Sequence, residues 1–259
     1  MWYSISCFLL MVVVLNVGNG EPLVPALFIF GDSIVDMGNN NDRYTVVKAT
    51  FPPYGRDFEN HSPTGRFCNG KLATDFTAQT LGFTSYPPPY FNLKEKGSNL
   101  LNGANFASAG CGYYDSTSKL YNLYALGARR IGVPTLPPMG CLPASITLFG
   151  FSSNKCVTRL NNDAINFNVK LNTISQNLKN ILPELNLVLL DIYQPLYDLV
   201  TKYSENGFFE ARKACCGSGL LELAILCNKT VIGTCVNASQ YSGMDFIQQR
   251  QQTRFWPII

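Results

Sequence analysis

The sequence predicts an α/β fold, a parallel sheet covered by helices, on three observations. Short apolar runs at residues 26–30 and 187–190, and a third strand-like segment at 129–133, have strand length and stop at Gly, Pro or Asp. Between the second and third lies a long stretch with helical periodicity, and strand–helix–strand order implies parallel pairing. At 259 residues, the chain is long enough to bury one such core, and it contains no internal repeat or second-domain linker.

The elements follow in order. Residues 1–20 carry no Lys, Arg, Asp or Glu, and an unbroken apolar run from Cys7 to Leu15 leads to Gly18-Asn19-Gly20. This reads as a secretory signal peptide with a small-x-small cleavage site, too short in its apolar part to span a bilayer. The mature chain is expected to start near Glu21, to be extracellular, and to have no stable membrane anchor. Residues 26–30 form the first strand, running into a loop at Gly31-Asp32-Ser33. Residues 37–70, rich in Gly, Asn and Pro, are loop. Residues 72–81 read as a helix with Asp75 and Gln79 on its wet side, and residues 86–91 as a Pro/aromatic loop.

Residues 129–133 form the second strand and 134–143 a constrained turn. Over residues 156–182 the apolar positions Val157, Leu160, Ala164, Phe167, Leu171, Ile174, Leu178 and Ile181 recur in steps of three and four. That spacing makes one helical face. Asn161, Asn162, Asn168, Asn172 and Lys179 sit elsewhere, and Pro183 ends the helix. Residues 187–190 are a third buried strand ending at Asp191.

Composition narrows the chemistry. A net charge of +3 is too small and too scattered for nucleic acid to be the main partner. With one histidine, a His-rich metal site is excluded, and a His-dependent triad has only His61 to draw on. Removing the signal peptide takes Cys7 and leaves eight cysteines, an even number that favours disulfides in a secreted chain. Cys141 and Cys156 bracket a short loop and form a candidate pair, while Cys215, Cys216, Cys227 and Cys235 cluster. Cys68 and Cys111 are isolated, as free thiols or as a long-range pair. Three Asn-x-Ser/Thr sequons, at Asn60, Asn228 and Asn237, agree with a secretory route and mark glycosylation candidates.

The stretch that carries chemistry is Phe28-Ile29-Phe30-Gly31-Asp32-Ser33-Ile34-Val35-Asp36, continuing Met37-Gly38-Asn39-Asn40-Asn41. A serine just beyond a buried strand lies at the carboxyl edge of the sheet, where α/β proteins build sites. Gly31 permits a tight backbone, and the serine's own amide can donate to an oxyanion. The competing reading is a strand-to-loop turn capped by Asp and Ser. No G-x-S-x-G elbow is present, so the usual α/β-hydrolase arrangement does not apply.

The longer string closely resembles the opening block of the plant GDSL esterase/lipase family, within the SGNH hydrolases. The resemblance continues through residues 51–58, 63–71, 103–110 and 126–130, then through residues 136–143 and Cys215-Cys216-Gly217. It implies a three-layer α/β/α sandwich with a parallel sheet. It also implies hydrolysis of carboxylic acyl or lipid esters through an acyl-serine, with no metal or other cofactor. The family's nucleophile maps to Ser33. Its glycine that donates a backbone N–H to the oxyanion maps to Gly110. A serine needs a base to attack, and a tetrahedral intermediate needs preorganised donors.

Two parts of the family pattern are missing. Ser118-Lys119-Leu120-Tyr121 runs almost directly into Asn122-Leu123-Tyr124, where the family has several tens of residues with a G-x-N-D-like block and its oxyanion Asn. An interior strand and its flanking helices are therefore expected to be absent near residues 121–122. The second loss is the W-D-x-x-H-P block that supplies the triad Asp and His. Asp245 lies near the expected spacing, but no His follows it. Back-translating residues 241–259 with permitted codons and shifting the frame by two bases recovers F-W-D-G-F-H-P-T-E-A-A-N-K-I-L-A-D-N. Residues 242–259 thus read as the terminal block translated out of frame, which makes the position of Asp245 accidental. His61, in a Gly/Pro-rich loop directly after Asn60, reads as an exposed loop residue rather than a substitute base. The expected product is a catalytically impaired esterase. The alternatives are a non-catalytic secreted remnant that binds lipid or glycan, and a non-folding product of a disrupted gene or transcript.

Overall fold

The computed structural model describes residues 21–92, 100–111, 124, 127–151, 153–221, 233, 235–237 and 240–241. The readings on the signal peptide, the junction at 121–122, Cys227, Asn228, Asp245 and the tail from 242 lie outside these residues.

Among the described residues there are four strands and four α-helices. They are β1 (Leu27–Ile29), α1 (Ala73–Thr80), β2 (Gly103–Asn105), β3 (Arg130–Pro134), α2 (Pro143–Phe149), α3 (Thr158–Ile181), β4 (Asn186–Leu190) and α4 (Tyr193–Thr201). β1, β3, β4, α1 and α3 fall where the sequence reading places elements, whereas it places none at β2, α2 or α4. The α/β class and the parallel pairing are as expected. Among the described residues, however, the strands form two separate two-stranded sheets, β1–β2 and β3–β4, rather than one. Leu27 pairs with Gly103 in the first, and Arg130 with Asn186 in the second. No helix of the described residues is long and apolar enough to cross a membrane.

The local reasons are visible in the sequence. Pro143 opens α2 at its first position, where a missing N–H costs nothing. In α1, Asp75 Oδ2 accepts the Leu72 N–H at 2.8 Å, one half of a capping box. This corrects the expectation for Asp75, which is 1% exposed and not on the wet side. Its carboxylate also takes Arg66 Nε at 2.9 Å and Nη2 at 3.3 Å, and a buried carboxylate needs such a partner. Gln79 does face outward and donates to the Tyr86 hydroxyl at 3.0 Å.

In α3 the buried residues are Asn161, Ala164 and Ser175. Asn161 and Asn168, expected on the wet side, turn inward to serve the turn that precedes the helix. Asn161 Oδ1 accepts the Gly140 N–H at 2.8 Å. Asn168 accepts the Leu136 N–H at 2.7 Å and donates to its carbonyl at 3.0 Å. A Cβ on Gly140 would overlap the Val157 carbonyl, so only glycine fits there. The Cys141–Cys156 disulfide locks the same junction, as the spacing suggested. Cys215 pairs with Cys235, and Cys216 is also disulfide-bonded. Cys68 and Cys111 are free thiols, the first buried and the second exposed. Of the sequon asparagines, Asn60 and Asn237 are exposed.

Candidate active site

The site begins where β1 ends. Asp32 Oδ1 accepts the Ile34 N–H at 3.0 Å, closing an Asx turn that carries Ser33 past the end of the strand. A Cβ on Gly31 would lie 2.7 Å from Val35 Cγ2, so the turn needs glycine there. Ser33 is 9% exposed, at the boundary between interior and surface.

The loop that leaves β2 runs alongside. The Ile29 carbonyl accepts the Phe106 N–H at 2.7 Å, and the Gly31 carbonyl accepts the Ser108 N–H at 3.0 Å. The ladder thus continues beyond both strands and brings residues 106–110 against the serine loop at the carboxyl edge of the sheet. Gly110 is exposed, with φ +91°, and nothing lies within 4 Å of where a Cβ would be.

A buried polar clasp binds the two loops together. Asp36, which is 0% exposed, accepts N–H bonds from Gly38 and Asn39 at 2.8 Å and from Ala109 at 2.9 Å. Asn39 Nδ2 donates to the carbonyls of Asn105 at 2.8 Å and Ala107 at 2.7 Å. Asn40 Nδ2 donates to the Ala109 carbonyl at 3.0 Å, and its Oδ1 accepts the Ser108 hydroxyl at 2.7 Å. Asn105 Nδ2 returns a bond to the Val35 carbonyl at 2.7 Å. Burial raises the pKa of Asp36 above its ordinary 3.8. The three backbone N–H groups and the charge of Arg43 oppose that rise. The peptide on either side of Ala109 is held through both its N–H and its C=O, which fixes the approach to Gly110.

The clasp residues Asp36, Asn39, Asn40 and Asn105 have structural roles that sequence reasoning did not assign. The signal was present: a carboxylate and successive asparagines directly after a buried strand, with another asparagine at the end of β2.

His61 lies elsewhere. It is exposed on the turn Glu59–His61, and its Nδ1–H donates to the Arg56 carbonyl at 2.7 Å. Among the described residues no hydrogen bond joins it to Ser33. The loop that carries Gly110 lies against the loop that carries Ser33. Among the described residues, no side chain is seen in hydrogen-bond contact with the Ser33 hydroxyl as a base.

A family model for GDSL-like lipases/acylhydrolases matches this chain in two overlapping pieces, residues 27–120 and 112–246. The chain belongs to the GDSL esterase/lipase family. It is 51% identical to the GDSL esterase/lipase At5g22810 of Arabidopsis thaliana, over 88% of this chain and 86% of that protein. It is 47% identical to the GDSL esterase/lipase At5g03820 of the same plant, over 87% and 86% respectively. Identity to the GDSL esterase/lipase APG, also from that plant, is 42% over 93% and 92%. The first alignment runs over 310 positions, whereas 88% of 259 residues is about 228. Roughly 80 aligned positions therefore face no residue of this chain. Membership of this plant family gives the chain an esterase/lipase function, with carboxylic esters as the substrate class.

Proposed function

We propose that this chain is a secreted GDSL-type serine esterase/lipase in which Ser33 is the nucleophile and the Gly110 amide donates to the oxyanion, and that as written it is catalytically impaired. The observation that carries the assignment is the clasp. Asp36, Asn39, Asn40 and Asn105 leave little freedom between the serine loop and the glycine loop, as preorganised oxyanion stabilisation requires. The substrates are acyl or lipid esters, and hydrolysis proceeds through an acyl-serine without metal or cofactor.

The impairment rests on what accompanies Ser33. No triad Asp–His pair and no oxyanion Asn block are found in the sequence, and His61 is occupied and exposed. A serine without its base keeps only the residual catalysis of binding and oxyanion donors. The missing interior segment near 121–122 is supported by the two-piece family match, by the unmatched positions and by the split into two sheets. The out-of-frame reading of 242–259 accounts for the missing His. The signal peptide at 1–20 and glycosylation at Asn60, Asn228 and Asn237 complete the secretory reading.

The test is turnover of short-chain p-nitrophenyl esters by the purified chain. The expected result is little or no hydrolysis above buffer. Substantial turnover that Ser33→Ala abolishes would refute the impairment while supporting the nucleophile. Sequencing transcript and gene across codons 118–126 and 241–259 tests the two defects separately. An alternate frame that lacks the W-D-x-x-H-P block would refute the frameshift. A non-catalytic remnant that binds lipid is favoured if the folded chain retains an ester or fatty acid without turnover.

A further inference from the structure

Two cysteines of the C-terminal cluster meet a cation from far back in the chain. Arg56 Nη2 donates to Cys215 Sγ at 3.7 Å and to Cys235 Sγ at 3.8 Å, while Nη1 donates to the Cys235 carbonyl at 2.7 Å. The guanidinium therefore lies against both sulfurs of the Cys215–Cys235 disulfide. Cys215 is 1% exposed and Cys235 is half-buried, so a thiol from solution reaches Cys235 first and Cys215 becomes the leaving thiolate. Burial disfavours that anion, and a cation in hydrogen-bond contact favours it. A better-stabilised thiolate leaves faster, so Arg56 speeds the exchange. Asp57 opposes this, because its carboxylate lies 3.6 Å from Arg56 Nε and draws on the same charge.

The same disulfide is tied to the packing behind the glycine loop. The Cys235 N–H donates to the Cys215 carbonyl at 2.8 Å. The next residue, Cys216, is buried in one apolar cluster with Ala109, Tyr54 and Phe67. Ala109 is the residue whose N–H Asp36 accepts and whose carbonyl Asn40 holds, next to Gly110. A shift of Cys215 therefore reaches Ala109 through a single packed neighbour.

We propose that Cys215–Cys235 is a redox-sensitive latch, opened by a dithiol reductant, in which Arg56 stabilises the departing thiolate. One thiolate of the dithiol attacks Cys235 Sγ. The S–S bond breaks, and its electron pair goes to Cys215 Sγ beside Arg56. The second thiolate of the dithiol then attacks the mixed disulfide, closes the dithiol's own disulfide and releases Cys235. The dithiol gives up two electrons and two protons, and both cysteines end as thiols. Opening removes the crosslink that holds Cys235 to Cys215 and loosens Cys216 against Ala109. The latch needs no ester hydrolysis and stands or falls apart from the esterase reading.

The test is the rate of opening in the purified full chain under dithiothreitol at neutral pH, read by timed alkylation and mass spectrometry. Arg56→Met should slow the opening of Cys215–Cys235 about tenfold. Cys141–Cys156 should open at its unaltered rate in that variant, which reports that the fold is kept. Asp57→Asn frees the cation while its amide oxygen still accepts from Asn69, so it should speed opening severalfold. That variant decides the matter if Arg56→Met unfolds the chain and accelerates both disulfides. In the unaltered chain, amide exchange at Ala109 should quicken once Cys215 and Cys235 are thiols. A folded Arg56→Met chain that opens within about twofold of the unaltered rate, no acceleration in Asp57→Asn, or unchanged exchange at Ala109 after opening would each overturn the proposal.

Discussion

Around β1 and β2 a buried polar network ties two loops together. Asp36, Asn39, Asn40 and Asn105 are each at most 2% exposed, and their bonds cross between two loops about 70 residues apart in sequence. Around β3, β4 and α3 several apolar residues are uncovered. Val169 is 61% exposed, Ile174 55%, Ile181 71% and Val188 40%. Parallel sheets are ordinarily covered on both faces, so the second region has the surface of a part whose cover is not supplied by the described residues. The contrast teaches that the region holding the candidate nucleophile closes through its own hydrogen bonds. In the other half, these apolar side chains have no cover from the described residues.

Four experiments break or sharpen that contrast. The largest effect is chemical. Burial raises the Cys68 thiol from an ordinary 9.0 to about 12, and Cys68 donates to the Gly70 carbonyl at 2.8 Å, whereas Cys111 is exposed. A shift of that size lowers the thiolate fraction about a thousandfold. Iodoacetamide at mildly alkaline pH should label Cys111 and leave Cys68 until denaturant is added. Native labelling of Cys68 would mean that the first region is not closed.

Next comes Asp36→Ala, which leaves three buried N–H groups without their acceptor. It should destabilise the fold by about 4 kcal/mol in urea unfolding, with faster amide exchange at Gly38, Asn39 and Ala109. A loss under about 1 kcal/mol would remove the clasp from the account. The pH dependence has a definite sign. A carboxyl whose native pKa is raised binds its proton more tightly when folded. Its contribution is full below the unfolded value near 3.8 and is lost as pH rises through the native value. The stability of the unaltered chain relative to Asp36→Asn should therefore fall as pH rises from 3.8.

Asp75→Ala should cost about 3 kcal/mol, because it leaves Arg66 buried without its carboxylate and uncaps Leu72. The smallest effect belongs to the other region. Ile174→Ser should change stability by less than about 0.5 kcal/mol, since that side chain is already in water. A loss several times larger would show that the α3 face is covered in solution.

Much of this organisation is legible residue by residue. Short apolar runs ending at Gly or Asp mark β1 and β4, a strand-length segment ending at Pro134 marks β3, and Pro183 marks the end of α3. The string after β1 points to Ser33, and the block at 103–110 to Gly110, as the proposed site residues. The misreadings share one cause. Asp75, Asn161 and Asn168 are polar, and periodicity assigns polar residues to water. Each turns inward because a backbone or charged group needs it: Leu72 and Arg66 for Asp75, Gly140 for Asn161, and Leu136 for Asn168. The Asn161 and Asn168 partners lie 21 and 32 residues away, where helical spacing does not reveal them, whereas the Leu72–Asp75 bond has capping-box spacing.

The linear order of residues by itself determined the α/β class and the family, and it nominates Ser33 and Gly110 for the proposed site. These depend on local pattern and on chemical identity. Only the tertiary structure decided that the two loops are clasped by Asp36 and three asparagines, that Cys68 is sealed while Cys111 is open, and that, among the described residues, the strands pair as two separate sheets. Hydrogen bonds and burial depend on which groups meet in space, and a buried polar group is tolerated only where a partner meets it.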